Sequence, residues 1–258
     1  MIKFFLLAFL SLIIGCNKSC GNENQKDTLI IGTNANLPPF ESVNALGKLE
    51  GFDIDLGNEI AKLLNKKVAF KEFDFDALIL ALQKGQIDII LSGMSITQSR
   101  QKEIFMVPYQ GEAIKSIALV FWQHKPEINN FEDLKNLVHT HSLPVSVQAG
   151  HFLESFLISQ NINVKQLAGP PEQILDIKYK KSLAAALDPA NAQELVKHHS
   201  ELFLVNIDLP PTHWDLGNGI GIKKTNTKLQ EDIQKAIENL RNNGTIKFLE
   251  NTWLKGKN

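Results

Sequence analysis

The chain alternates short runs of branched apolar residues with longer stretches in which apolar positions recur every three or four residues. Thr28 to Thr33 (TLIIGT) has the density of a buried strand, and Phe52, Leu56, Ile60, Leu63 and Leu64 then mark one face of a helix. Val68 to Glu72 predicts a second strand, Phe75 to Gln83 a helix and Ile87 to Leu91 a third strand. A further helix is expected to begin near Thr97, whose hydroxyl can cap free backbone N–H groups. The pattern resumes with strand Ser116 to Phe121, helix Phe131 to Leu137, strand Val145 to Gln148, helix Phe152 to Ser159, strand Leu183 to Leu187 and helix Ala190 to His198. After a loop carrying Leu209-Pro210-Pro211, strand Gly219 to Lys223 precedes a polar-faced helix, Lys228 to Asn242, and a last helix ending near Trp253. This alternation predicts an α/β fold. Turn residues interrupt it near Pro108 to Lys115 and near Asp208 to Asp215, which marks two candidate boundaries.

With 258 residues, 43% of them hydrophobic and 21% charged, the chain is long enough for one large domain or two small ones. Lys and Arg number 27 against 28 Asp and Glu, and no basic stripe with interleaved aromatics appears, so the attraction that nucleic-acid binding relies on is missing. The first residues change the picture more. Met1-Ile2-Lys3 is a short basic start, Phe4 to Ile14 is an apolar run too short to span a bilayer, and Gly15 precedes Cys16: the features of an export signal over 1–15. Both cysteines, Cys16 and Cys20, lie in or beside this segment, so the body has no thiol chemistry, no internal disulfide and no Cys-based metal site.

The stretch SGMSITQSRQKE, Ser92 to Glu103, follows the apolar run Ile87 to Leu91. In an open α/β sheet ligands sit beyond the carboxyl ends of strands, where this segment is expected. Backbone N–H groups of a glycine-containing turn, the hydroxyls of Ser92, Ser95 and Thr97 and the guanidinium of Arg100 together suit an anion. A carboxylate suits best, because arginine can grip two oxygens with a planar fork. The plainer alternative makes Arg100 a solvated helix residue and the hydroxyls ordinary turn and cap groups. The seven histidines, including His139, His141, His198 and His199, show no ligand spacing with a third partner and read as surface or structural residues. No P-loop, dinucleotide fingerprint or Gly-x-Ser-x-Gly is present, and the pairs Asp53/Asp55 and Asp74/Asp76 read as solvent-facing or capping groups.

Four segments, Thr33 to Glu41 (TNANLPPFE), Gly51 to Leu56 (GFDIDL), Phe75 to Ile79 (FDALI) and Gly93 to Thr97 (GMSIT) with Arg100 and Glu103, occur in an order and spacing that resembles the polar amino-acid solute-binding proteins of ABC importers, bacterial extracellular family 3, and most of all their arginine-binding lipoproteins. The resemblance runs from about Leu29 to Trp253. It implies a two-lobed, type II periplasmic-binding fold: one lobe from 28–110 plus 216–258, the other from 111–215, with a two-strand hinge. The placement of Cys16 after Gly15 resembles a bacterial lipoprotein signal, which implies that Cys16 is acylated, with 16–27 as a tether to the membrane, in the periplasm or cell envelope; a plain signal peptide and a buried apolar segment of a cytosolic protein are the alternatives. Implied partners are an amino-acid ligand, arginine or another basic amino acid, together with a permease and its ATPase; a monomer with no cofactor and no metal is expected.

The family's site carries over residue by residue. Arg100 matches the clamp for the ligand α-carboxylate; Ser92, Gly93, Met94 and Ser95 match the segment that contacts the ligand head. Asp188 matches the acid of the second lobe that receives the α-ammonium. Phe40 and Phe75 match positions near the aromatic walls, and Asn34 falls where binders of basic amino acids often place an acid. Gln148, Gly150, His151 and Phe152 complete the expected contacts, with His151 standing where the family has a hydroxyl and Leu37 where many basic-amino-acid binders have a tyrosine. Core packing for the two phenylalanines and a helix-cap role for Asp188 are the alternatives. Two other functions remain open at this stage: a dehydratase-like enzyme on the same fold, which would need an acid–base pair in the cleft, and a sensor module, which would need a signalling chain.

Overall fold

The computed structural model describes residues 27–111 and 113–254. The export signal, Cys16 and nearly all of the tether therefore lie outside the described residues. No helix among the described residues is long and apolar enough to cross a membrane.

Chain order gives β1 (Thr28–Thr33), β2 (Asn36–Leu37), β3 (Glu41–Val43), β4 (Leu49–Glu50), α1 (Phe52–Leu63), β5 (Lys67–Glu72), α2 (Leu78–Gln83), β6 (Ile89–Ile90), α3 (Gln98–Glu103) and β7 (Ile104–Gln110). There follow β8 (Ser116–Trp122), α4 (Phe131–His141), β9 (Val145–Gln148), α5 (Phe152–Ser159), β10 (Val164–Leu167), α6 (Pro170–Lys178), β11 (Ala184–Leu187), α7 (Pro189–His198) and β12 (Leu202–Asp208). The chain closes with β13 (Asn218–Lys223), α8 (Thr227–Asn242) and α9 (Thr245–Trp253).

Two five-stranded sheets result, in the orders β5-β1-β6-β13-β7 and β10-β9-β11-β8-β12, and β2-β3-β4 form a small antiparallel sheet beside the first. In each large sheet four strands run in one direction and a single strand, β13 in the first and β8 in the second, runs against its two neighbours. The first packs around Leu29, Ile31, Phe52, Ile89, Ile220 and the inner face of α8. The second has its own core of Ile117, Leu119, Val145, Leu153, Ala184 and Ile207. A further cluster covers the other face of each sheet, around Leu78 and Ile90 in the first and Val120 and Ala185 in the second; each sheet thus has its own core residues, which makes two lobes, each able to hold its shape while the other moves.

The chain passes between lobes twice, between β7 and β8 and between β12 and β13. These segments are tied side by side: Leu209 N–H donates to the Lys115 carbonyl at 2.8 Å and Ile114 N–H to Asp215 Oδ1 at 2.7 Å. Gly217 sits at a positive φ of 80°, where an added Cβ would come within 2.8 Å of the Gly111 carbonyl oxygen. Glycine is required there by both conformation and space.

The structure adds elements that apolar periodicity does not announce. β7 (IFMVPYQ) contains Pro108, which reads as a break; it is tolerated because β7 is the edge strand of its sheet. The predicted strand Ile87 to Leu91 shrinks to Ile89–Ile90, and β10, α6 and β12 fill segments that had no assignment.

Candidate functional site

The carboxyl ends of β6, β9 and β11 face one another across the gap between lobes. Beyond β6 the chain turns at Gly93, with φ at 52°, and its N–H donates to Asp53 Oδ2 at 2.7 Å. Thr97 caps α3 by accepting the Arg100 N–H at 3.3 Å, so that α3 begins where its N-cap residue type predicts.

Arg100 is buried, and its guanidinium donates to the Ser95 carbonyl at 2.7 Å and, across the gap, to the Gly150 carbonyl at 2.9 Å. It lies 5.3 Å from the centre of the Phe75 ring. Burial pulls its pKa down to about 10, with the negative charges of Asp188 and Asp215 offsetting part of that cost. Its direct partners are neutral carbonyls, which leaves the remaining N–H donors of the fork for an anion.

From the second lobe, Gly150 sits at φ 75°, and an added Cβ would be 2.9 Å from the Asp76 Cα of the first lobe. His151 caps α5, its Nδ1 accepting the Leu153 N–H at 3.3 Å, and its Nε2 is 3.5 Å from Asp188 Oδ2. Asp188 Oδ1 is buried without a partner. A second bridge between lobes runs from Gln148 Nε2 to Asn34 Oδ1 at 3.0 Å, and the same nitrogen donates to the Ala168 carbonyl at 3.1 Å.

Two of the cavities between the lobes border the expected ligand-contacting residues. An outer cleft of about 490 Å³ is bordered by Phe75, Asp76, Arg100, Gly150, His151 and Phe152. An inner cavity of about 20 Å³ lies among Leu37, Phe75, Gln148, His151, Gln173, Asp188 and Asn191. The inner space holds about one water, so the lobes must part to admit anything larger.

Several sequence-based expectations need correction. Arg100 and Asp188, matched to the two ends of one ligand, border adjacent cavities, divided by Phe75 and the His151 imidazole. Phe40 is not a cavity wall: it packs edge-on against Phe52 in the first core, at 6.2 Å between ring centres. Ser92 is buried and spent on structure, donating to Glu41 Oε1 at 3.0 Å and accepting the Asn34 N–H at 2.9 Å. Met94 belongs to the apolar cluster around Phe75 and Leu78 and touches only the outer cleft. Phe152 stands beside His151 at the outer cleft. Asp53 is fully buried rather than solvent-facing, because Gly93 N–H and Tyr109 OH both need an acceptor there.

Asn34, Phe75, Gly93, Gln148, Gly150, His151 and Asp188 do gather at the gap. Ser95 is buried, with its carbonyl on Arg100 and its residue bridged to Asn218. Sequence reasoning missed Gln173 and Asn191. The available signal was a glutamine in the face Pro170, Gln173, Ile177, whose spacing is that of a buried helical stripe.

Beneath the site, Glu41 and Asp53 form a buried carboxyl pair. Burial and the mutual proximity of the two charges push Glu41 well above the ordinary carboxylate range, and burial raises Asp53 to about 6 even though Gly93 and Tyr109 favour its charged form.

The model of the bacterial extracellular solute-binding proteins, family 3, matches residues 29–256. The chain belongs to this family. The family-3 chain is 39% identical over 253 residues to the probable ABC transporter arginine-binding protein ArtJ of Chlamydia trachomatis, with 96% of this chain and 95% of that protein covered. Among solved structures it is similar to an ancestral arginine-binding protein bound to arginine (34% identity, TM-score 0.77, 88% of this chain and 98% of that one). An ancestral arginine-binding protein bound to glutamine is also similar (34%, TM-score 0.78, 90% and 99%). Family 3 is extracellular by description, which places the protein outside the cytoplasm. These relatives are binding proteins, and the chain is a solute-binding protein of the two-lobed periplasmic type, not an enzyme. Among the described residues no cluster of three or more His, Cys, Asp or Glu could hold a metal ion.

Proposed function

We propose that this protein captures an amino acid, arginine foremost, between its lobes and delivers it to an ABC permease powered by a separate ATPase. The lobes are 28–110 with 216–258 and 111–215, and they close about the two connecting segments. Arg100 receives the α-carboxylate and Asp188 the α-ammonium. Ligand entry displaces the His151 ring from Asp188. Acylation of Cys16 and the 16–27 tether hold the monomer at the membrane after removal of 1–15.

The observation that carries this reading is unspent bonding capacity on opposite lobes. Arg100 keeps free N–H donors beyond its two carbonyl partners, and the buried Asp188 Oδ1 has no partner. A zwitterion satisfies both, and only when the lobes are together, so binding energy drives closure. Arginine-binding relatives and an arginine-bound structural neighbour support the choice of ligand. Titration calorimetry of the purified protein against the twenty amino acids tests it. Arginine should bind best or nearly so; binding of none of them would overturn the proposal.

A further inference from the structure

The inner cavity has an unusual balance of hydrogen-bonding groups. Gln173 is fully buried on α6, where β9 and β11 stop pairing, and its Nε2 donates to the Ser146 carbonyl at 2.9 Å and the Ala186 carbonyl at 3.2 Å. Both amide hydrogens are thereby used, which fixes the orientation of the amide and leaves Oε1 buried without a partner. Asn191, in the first turn of α7, likewise has a buried and unpartnered Oδ1. The amide hydrogens of Gln148 are spent on Asn34 and Ala168. Asp188 is the sole carboxylate among the described residues bordering this cavity. The cavity wall has therefore used its amide donors on Gln148 and Gln173 while keeping acceptors, and beyond Asp188 those acceptors are neutral.

We propose that Gln173 Oε1 and Asn191 Oδ1 form the subsite for the far end of the ligand, and that it selects side chains ending in planar N–H groups: guanidinium, ureido or carboxamide. This rests on the amino-acid-binding reading above. A buried acceptor left without a donor carries a desolvation cost, which an N–H-bearing end removes and an alkyl end does not. Charge is not what the subsite reads. A guanidinium is delocalised and weakly hydrated, so two neutral carbonyl-type acceptors can replace its water; an ammonium is compact and strongly hydrated, and it lacks a counter-charge here once Asp188 holds the α-ammonium. Lysine, with the same charge as arginine, should be rejected, whereas citrulline, the uncharged ureido analogue of arginine, should be accepted.

Calorimetry of the purified protein with arginine, citrulline, glutamine and lysine tests this, alongside Asn191→Asp. That substitution keeps the size of the side chain and puts a negative charge in the first turn of a helix, where it is favourable. In the wild type, citrulline should bind within about tenfold of arginine and lysine at least about a hundredfold more weakly than arginine. In Asn191→Asp, lysine should gain and citrulline lose about tenfold each. Arginine binding with lysine close behind it, with citrulline far outside that range, or with citrulline and lysine unmoved by Asn191→Asp would overturn the subsite and leave the proposed function standing. Failure of arginine, citrulline and glutamine alike to bind would overturn the subsite, and the proposed function falls with it only where none of the twenty amino acids binds.

Discussion

Replacing Arg100 by alanine removes one buried guanidinium and with it two interactions of different kinds. In the structure its fork donates to the Ser95 and Gly150 carbonyls at 2.7 and 2.9 Å, the second of which crosses between lobes. With ligand bound, the remaining N–H groups would meet a carboxylate. Hydrogen bonds to charged groups contribute about 1.5–3 kcal/mol each, and part of the gain is offset by the cost of burying the charge, so a net loss of about 3 kcal/mol is expected for the carboxylate fork. That corresponds to roughly a hundredfold weaker binding. Arg100→Lys keeps the charge but replaces the fork with a point donor and should lose about tenfold. Isothermal titration with arginine measures both. Ligand-free Arg100→Ala should melt within a few degrees of wild type, because removing a buried cation whose direct partners are neutral carbonyls relieves about as much desolvation as it forfeits in hydrogen bonds. Binding within about threefold of wild type in Arg100→Ala would refute the clamp.

The remaining expectations concern stability, closure and competition. The folded state raises the pKa of Glu41 and Asp53, so it binds their protons more tightly than the unfolded chain does. Their stabilising contribution is full below about pH 4 and is lost as pH rises, through about 6 for Asp53; denaturant melts across that range should show Glu41→Gln flattening the decline, and an unchanged slope would contradict it. Gly150→Ala should hinder closure, because its Cβ would meet Asp76 at 2.8 Å and the backbone at φ 75° disfavours it by about 1 kcal/mol; small-angle scattering should show a particle that fails to contract with ligand, and normal contraction would count against this. His151→Ser preserves an N-cap for α5 while freeing Asp188, and arginine affinity should rise several-fold; a fall would show that the imidazole itself binds the ligand.

Much of the framework was readable from residue order. β1, β9, α5, α8 and α9 fall within a residue or so of the patterns that announce them, since the strands are apolar runs inside their sheets and the helices each bury one face, so pattern follows burial directly. The Thr97 cap was also legible, because an N-cap bond is made within three residues. Less regular elements were not. β7 carries a proline whose tolerance depends on lying at a sheet edge, and edge position is a property of the assembled sheet.

At the site, residue types determined which groups gather at the strand ends: Arg100 after β6, Gln148 closing β9 and Asp188 after β11. Their chemistry and their place in the strand–helix alternation are local properties, carried by the chain itself. Tertiary structure alone decided which of them face the gap. It turned Phe40 into core and spent Ser92 on Glu41. It also set His151 between clamp and acid and left the oxygens of Gln173 and Asn191 without partners. The physical reason is that hydrogen-bond capacity is consumed by neighbours distant in sequence, so what remains for a ligand is known only after the lobes have folded and met.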